Sequence, residues 1–257
     1  MKNITIIFLV LIVSVKNYSQ TLDPIVPDRP GQTNPPTIVP VGIFQLETGF
    51  SRESSKAGDI LTTNFLYNTS LIRIGLLENC ELRLTFEYAG TKIDSVAQSS
   101  TVNGLNPISI GSKLAVCPEK GMVPQTSFNM SIAMPYFGKQ EFRPSYLAPS
   151  FFLLMQNTLS DMYSLGYNFG LQWDGNQPNA TAVYSISLSI TVLESVSVFA
   201  EFYGFSMEKS AAEYHGDVGC TYLINNNLQV DLSGGVALNT IVPDSFVAFG
   251  FAWRMGK

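Results

Sequence analysis

The chain has 257 residues, of which 46% are hydrophobic and only 14% are charged, and its mean hydropathy is +0.16. Soluble domains carry roughly 25% charged residues, so this chain has too few charges to cover a surface that meets water on every side. The net charge of −5 and the pI near 4.9 exclude the basic surface of a nucleic-acid-binding protein.

Residues 1–19 have the pattern of a secretory signal peptide. Lys2 precedes the apolar run from Ile4 to Val15, and small and polar residues follow up to Gln20. This run is shorter than the about 20 apolar residues that a helix needs to cross a bilayer. A short membrane anchor or a buried helix is the alternative, but no stop-transfer flank follows. We therefore expect export and removal of residues 1–19.

Residues 20–41 are rich in proline and precede the first predicted strand. Proline lacks an N–H group and fixes one backbone dihedral, so we expect no regular element here. The simpler interpretation is a periplasmic N-terminal segment that acts as a tether. The alternative is a plug, in which Asp28 and Arg29 fold back into a barrel.

Residues 42–257 consist of segments in which polar and apolar side chains alternate with period two. From Glu81 to Tyr88, for example, Glu81, Arg83, Thr85 and Glu87 share one face and apolar or aromatic side chains occupy the other. This pattern predicts strands. They lie near 42–50, 62–75, 80–89, 105–117, 124–134, 149–159, 162–173, 181–192, 195–205, 211–224, 227–238 and 245–255.

The lengths of the links separate a membrane barrel from a soluble β-sandwich. Links after even-numbered predicted strands are short, whereas others are long and polar, notably Ser51–Leu61, Gly90–Gly104 and Pro135–Ala148. Outer-membrane barrels have short periplasmic turns and long external loops, and an even strand number places both termini in the periplasm. The sequence therefore predicts an all-β fold, an antiparallel transmembrane β-barrel of about 12 strands. Its surroundings would be outer-membrane lipid.

The last predicted strand alternates Val247, Phe249, Phe251 and Trp253 with small residues and Arg254. A terminal strand rich in aromatic residues resembles the signal that the barrel assembly machinery reads, although Met255-Gly256-Lys257 replaces the usual terminal aromatic. We therefore expect this machinery to be a partner.

Three stretches of the sequence resemble a known bacterial family. Pro27 to Thr33 reads PDRPGQT, Val39 to Phe50 reads VPVGIFQLETGF, and Ser70 to Leu76 reads SLIRIGL. The first two resemble the opening of a family described as transporters of the MetA-pathway of phenol degradation. The resemblance implies an outer-membrane barrel with a transport role, and the signal peptide and composition resemble those of Bacteroidetes proteins.

If the apolar faces meet lipid, the opposite faces line the lumen. Their titratable members are Glu47, Arg73, Glu81, Arg83, Glu87, Lys113, Glu201, Glu213, His215, Asp217, Asp231 and Arg254. With His neutral, seven acids and four bases leave a charge of −3. Two interpretations stay open: a polar passage that prefers cations, or acids and bases that pair and fill the lumen. We hypothesise that Arg73 and Arg83 pair with carboxylates and narrow the passage.

The sequence offers little support for catalysis or for a cofactor. His215 lies between Glu213 and Asp217, but neither a nucleophilic Ser two residues later nor a Gly-x-Ser-x-Gly motif accompanies it. Cys80, Cys117 and Cys220 fit neither a disulfide framework nor a zinc spacing. We predict a non-enzymatic channel that passes small-molecule solutes, aromatic or hydrophobic compounds among them. The alternatives are a structural or adhesive barrel acting through its external loops, and an outer-membrane hydrolase.

Overall fold

The computed structural model describes residues 22–96, 98–208, 210–239 and 244–255. The predicted signal peptide, residues 1–19, lies outside the described residues. The strands are β1 (Phe44–Ala57), β2 (Ile60–Leu77), β3 (Cys80–Asp94), β4 (Ser99–Leu105), β5 (Ser109–Cys117), β6 (Gln125–Ala133), β7 (Ala148–Thr158), β8 (Tyr163–Gln172), β9 (Thr181–Leu193), β10 (Val196–Met207), β11 (Glu213–Asn225), β12 (Leu228–Ala237) and β13 (Asp244–Met255).

The strands form one closed antiparallel barrel. Strands that are neighbours in sequence pair with each other except β4 and β5, and β1 also pairs with β13 from Phe44 opposite Met255 to Ser55 opposite Asp244. Because β1 and β13 pair, neither the first nor the last strand is left with an open edge, which is what a strand-built protein needs in lipid. β4 and β5 pair with different parts of β3 and together make one barrel strand, so the barrel has twelve strands. The predicted fold class is confirmed.

The interruption between β4 and β5 has a local cause. It spans residues 106–108, and Pro107 has no N–H group to donate to β3. Asn106 continues the ladder by donating its backbone N–H to the Glu87 carbonyl at 2.9 Å. The sequence alone predicts only the second half of this strand, because residues 99–104 lack a clear apolar face.

The alternation of faces follows the prediction. Outward-facing side chains are apolar and exposed, as with Leu232 (51%) and Phe249 (56%), whereas the buried side chains are mainly polar or charged. A soluble protein would reverse this distribution, so the exterior is suited to lipid. No helix among the described residues is long and apolar enough to cross a membrane.

The links after β2, β5, β7, β9 and β11 lie at one end of the barrel with the start of β1, and we call this the turn end. The opposite end is the hairpin end. Two predicted long loops there are wrong: β1 runs to Ala57 and β2 starts at Ile60, and β3 and β4 leave only residues 95–98 between them. Gly58, at φ 57°, permits the tight turn between β1 and β2. The added parts of these strands carry polar side chains on both faces, so the alternation of polar and apolar residues did not predict them.

Candidate functional site

Residues 22–41, which we call the inner segment, run inside the barrel. Near its start, Ile25 donates its N–H to the carbonyl of Asn226 at 2.9 Å; beyond its end, Gly42 donates to the carbonyl of Gly75 at 2.9 Å. Asn226 and Gly75 both lie at the turn end, so the segment enters and leaves there. The interpretation as a free periplasmic tether is therefore wrong for these residues, since side chains from most barrel strands bind the segment's backbone.

An ionic cluster joins the inner segment to β1, β2, β3 and β5. Its members are Asp28, Glu47, Arg73, Glu81, Arg83 and Lys113. Arg73 is fully buried and donates to Glu81 Oε1 at 2.8 Å, Glu47 Oε1 at 2.9 Å and Asp28 Oδ1 at 3.1 Å. Three acids balance three bases, so the cluster has no net charge and each buried ion has a partner.

Asp28 is the centre of this cluster. Its carboxylate accepts hydrogen bonds from Arg73, from Arg83 at 2.6 Å and from Lys113 at 2.7 Å. Burial raises the pKa of Asp28, but the three neighbouring positive charges outweigh it and hold that pKa well below its ordinary value. Asp28 is therefore ionised, and its negative charge is shared by the three cations that it binds.

Backbone groups of the inner segment satisfy the rest of the cluster. Arg73 Nη2 donates to the Thr37 carbonyl at 2.8 Å, and Lys113 donates to the Pro35 carbonyl at 2.9 Å. Glu81 accepts the Val39 N–H at 2.7 Å. Proline leaves neighbouring carbonyls without the partners that a helix or strand supplies, so buried cations can take them.

The opposite wall holds the segment with hydrogen bonds alone. Glu201 on β10 accepts the backbone N–H groups of Gln32 at 2.7 Å and Thr33 at 2.6 Å. Thr33 Oγ1 donates to Ser185 at 2.8 Å. The Asn168 side chain, with its amide oriented to satisfy both groups, bonds the backbone of Asn34 at 2.6 and 3.1 Å.

Arg29 is held separately, against β12, β13 and β1. Its guanidinium donates to both carboxylate oxygens of Asp231, at 3.0 and 3.2 Å. It lies over Gly49 and Gly250, which pair across β1 and β13, and a Cβ on either would come within 2.5 Å of the guanidinium. Only glycine leaves room for this close approach. Asp231, Gly49 and Gly250, on three different strands, thus form the binding site of the Arg29 guanidinium, which we call the seat of Arg29.

Replacing Glu201 with glutamine should loosen the segment locally. The amide keeps one acceptor but turns an N–H group toward the other donor, and hydrogen bonds to charged groups contribute roughly 1.5–3 kcal/mol. We expect the amide hydrogens of Gln32 and Thr33 to exchange about tenfold faster, measured by hydrogen-exchange mass spectrometry. Asp217→Asn is the matched control, since Asp217 pairs with Glu201 across the strands. Its oxygens have no hydrogen-bond partner among the described residues. Equal exchange in both variants would contradict this role of Glu201.

The remaining predicted residues lie nearer the barrel ends. Glu87 accepts the side chain of Asn106 at 2.9 Å, and Arg254 bonds Asn227 at 3.0 Å near the turn end. Glu213 is exposed at the start of β11. The His215 ring stacks on Tyr203 with centroids 5.0 Å apart. The twelve predicted residues thus face inward. Five of them belong to the ionic cluster, and the seven outside it are Glu87, Glu201, Glu213, His215, Asp217, Asp231 and Arg254.

Two cavities flank the inner segment. The turn-end cavity, of about 260 Å³, is lined on the wall by small and hydroxyl side chains such as Ser164, Ser187, Ser189 and Thr221. The hairpin-end cavity, of about 410 Å³, is lined by Glu53, Tyr203, Glu213, His215, Asp244 and Phe246 among others. Arg29 and Pro30 line both cavities.

The described residues show no metal chemistry: no group of three or more His, Cys, Asp or Glu side chains among them could hold a metal ion. Cys80, Cys117 and Cys220 are free thiols. Cys220 is exposed on the outer face of β11.

Sequence reasoning missed several polar residues that hold the inner segment. Ser127 donates to the Pro36 carbonyl, and Asn168 and Ser185 bind Asn34 and Thr33. All three lie on inward faces, so their period-two position was a usable signal. Nothing local marked Gly49 and Gly250, because their role depends on an arginine that is distant in sequence.

The family comparison settles the chain's affiliation. A model of the family described as "Putative MetA-pathway of phenol degradation" matches residues 27–255. The chain belongs to this family. The match includes most of the inner segment as well as the barrel. No curated protein sequence is significantly similar to the chain.

Solved structures share the barrel fold at low sequence identity. An outer membrane channel from Pseudomonas putida F1 aligns with a TM-score of 0.62 and 11% identity, over 88% of this chain and 99% of that one. The translocator domain of the autotransporter NalP from Neisseria meningitidis aligns with a TM-score of 0.55 and 11% identity, over 84% and 90%. The KdgM porin in complex with oligogalacturonate aligns with a TM-score of 0.53 and 11% identity, over 81% and 98%. These similarities establish the fold.

Proposed function

We propose that this protein is a channel of the bacterial outer membrane that passes small solutes passively, aromatic and other apolar compounds among them. The observation that carries the proposal is a closed barrel with an apolar exterior and a polar interior that contains cavities at both ends. The family description, which refers to phenol degradation, supports a role in the uptake of aromatic compounds. An outer membrane channel and a porin among the similar structures agree with passive transport.

The membrane orientation is part of the proposal. Short links and the start of β1 lie at the turn end, which we assign to the periplasm, and the extended hairpins lie at the other end. The exposed apolar band would contact outer-membrane lipid, and the aromatic residues of β13 would be recognised by the barrel assembly machinery. Residues 1–19 would direct export and be removed.

The inner segment is proposed to narrow the lumen as a plug. Its backbone is bound by residues from both sides of the barrel, including Glu81 on β3 and Glu201 on β10. The cluster around Asp28 would close one side of the lumen, since buried ion pairs leave no free path for a solute. The lumenal residues predicted from the sequence would thus hold the plug as well as line the passage.

A catalytic role is not proposed. The His215 ring packs against Tyr203 and Phe205, at centroid distances of 5.0 and 5.7 Å. Its Nε2 has no hydrogen-bond partner in the part of the chain that the structure describes. His215 is therefore packed among aromatic rings. A catalytic base would instead lie within hydrogen-bond reach of a nucleophile.

Liposome swelling tests the proposed transport. We expect liposomes that contain the purified barrel to swell in solutions of small neutral solutes, with rates falling as solute size approaches that of the cavities. Phenol and benzyl alcohol should enter faster than a disaccharide. Swelling no faster than that of protein-free liposomes for every solute would contradict transport and favour a structural or adhesive barrel.

A further inference from the structure

Resting on the proposed function, we infer that solutes cross this barrel on one side only, between the inner segment and the wall formed by β10–β12, and that Arg29 is the residue that controls the crossing. The ionic cluster closes the other side.

The two cavities meet only at the inner segment. The turn-end cavity is bounded by side chains of β7–β12, such as Gln156 and Gln229. The hairpin-end cavity is bounded by β10–β13 together with β1 and β2, for example by Phe205, Phe246 and Ser51. Arg29 and Pro30 belong to the walls of both. The Arg29–Pro30 step therefore separates the two cavities.

The barrier on the β1–β5 side is of a different kind. Arg73, Glu81 and Lys113 are fully buried and bonded to each other or to Asp28 and the segment's backbone. Opening a path there would separate buried ions, which costs several kcal/mol for each ion left without a partner. A third cavity lies on this side at the hairpin end, lined by Thr85, Ser109 and Trp173 among others, and no residue of the inner segment lines it. It is a dead end.

Displacement of Arg29 separates a single ion pair, whereas a path through the ionic cluster would separate several. Among the side chains that the structure describes, only Asp231 binds the Arg29 guanidinium, and the Arg29 side chain is partly exposed, whereas that of Asp231 is fully buried. Gly49 and Gly250 beneath the guanidinium have no side chains, so no other group fills the space when the guanidinium moves away. Rotation of one long side chain would join the two cavities while the ionic cluster keeps the segment in place.

The charges along this route disfavour anions. Glu53, Glu213 and Asp244 line the hairpin-end cavity, and the positive charge of Arg29 is already paired with Asp231. The turn-end cavity has no charged lining residue other than Arg29. A cationic solute therefore meets no positive charge on the route other than that of Arg29, which Asp231 neutralises, whereas an anion meets three carboxylates at the hairpin end.

Cysteine substitution in a conducting barrel tests the route. In a background in which Cys80, Cys117 and Cys220 are serine, Ser189→Cys places a thiol in the turn-end cavity and Ser51→Cys places one in the hairpin-end cavity. Ser109→Cys, in the third cavity, is the matched control. We expect a cationic methanethiosulfonate reagent to lower planar-bilayer conductance at least about twofold for the first two variants and to leave the third nearly unchanged.

Arg29→Ala supplies the second measurement. Removing this side chain should raise the conductance by about twofold or more, and Asp231→Asn should act in the same direction because it frees the guanidinium. Equal block at Ser109 and Ser189, or an Arg29→Ala conductance equal to that of the parent, would overturn the one-sided route while transport stands. Absence of conductance in every form, including a chain that lacks residues 22–40, would overturn the proposed function and the route with it.

Discussion

Replacement of Arg73 by alanine is expected to lower the free energy of unfolding of the barrel by about 3–5 kcal/mol. Arg73 is fully buried and binds Asp28, Glu47 and Glu81 simultaneously. Its removal leaves three carboxylates with two cations, Arg83 and Lys113, so one negative charge remains buried without a partner. The measurement is reversible urea unfolding in detergent micelles, followed by tryptophan fluorescence.

Arg52→Ala is the matched control for this effect. Arg52 lies on β1, next to β2, but its side chain is exposed. Exposed ion pairs contribute about 0–1 kcal/mol, so the control should unfold almost as the parent does. Arg73→Lys should fall between the two, because an ammonium keeps the charge but cannot bind three carboxylates through a planar fork. Equal unfolding free energies for Arg73→Ala and Arg52→Ala would show that the cluster does not stabilise the fold.

Much of the barrel follows from the sequence because lipid imposes a simple rule. Each strand must present apolar residues outward, and Val247, Phe249 and Trp253 show this with period two. The rule fails where strands leave the lipid. Residues 51–57 and 91–94 continue their ladders with polar side chains on both faces, so hydropathy marks the edge of the lipid and misses the end of the strand.

The inward positions of Arg73, Glu81 and Lys113 follow from the same alternation. Their partner could not be derived in this way, because Asp28 lies in a proline-rich segment without periodicity and is separated from Lys113 by 85 residues in sequence. Buried cations on several strands require acids as partners. The predicted set of seven acids and four bases, with its net charge of −3, did not indicate which acids pair with which bases. The seat of Arg29 depends on contacts from three strands, which no local pattern encodes.

Deletion of residues 22–40 has the second large expected effect, on conductance. The inner segment crosses the lumen between β3 and β10, and its removal would open the space that it now occupies. Water can then hydrate Arg73, Arg83 and Lys113, so the barrel should stay folded with a lower stability. Circular dichroism of the deleted chain checks that the strand content is retained. A full-length double variant, Asp28→Asn with Arg29→Ala, should give an intermediate conductance because it loosens the segment without removing it.

Single-channel recording in planar bilayers is the most direct test of a solute channel narrowed by its own N-terminal segment. The full chain should give a small conductance, and the chain that lacks residues 22–40 should give one that is about threefold or more larger, with the double variant between them. Equal conductance of the full and shortened chains would show that the inner segment does not narrow the passage. Absence of conductance in both would contradict the channel itself.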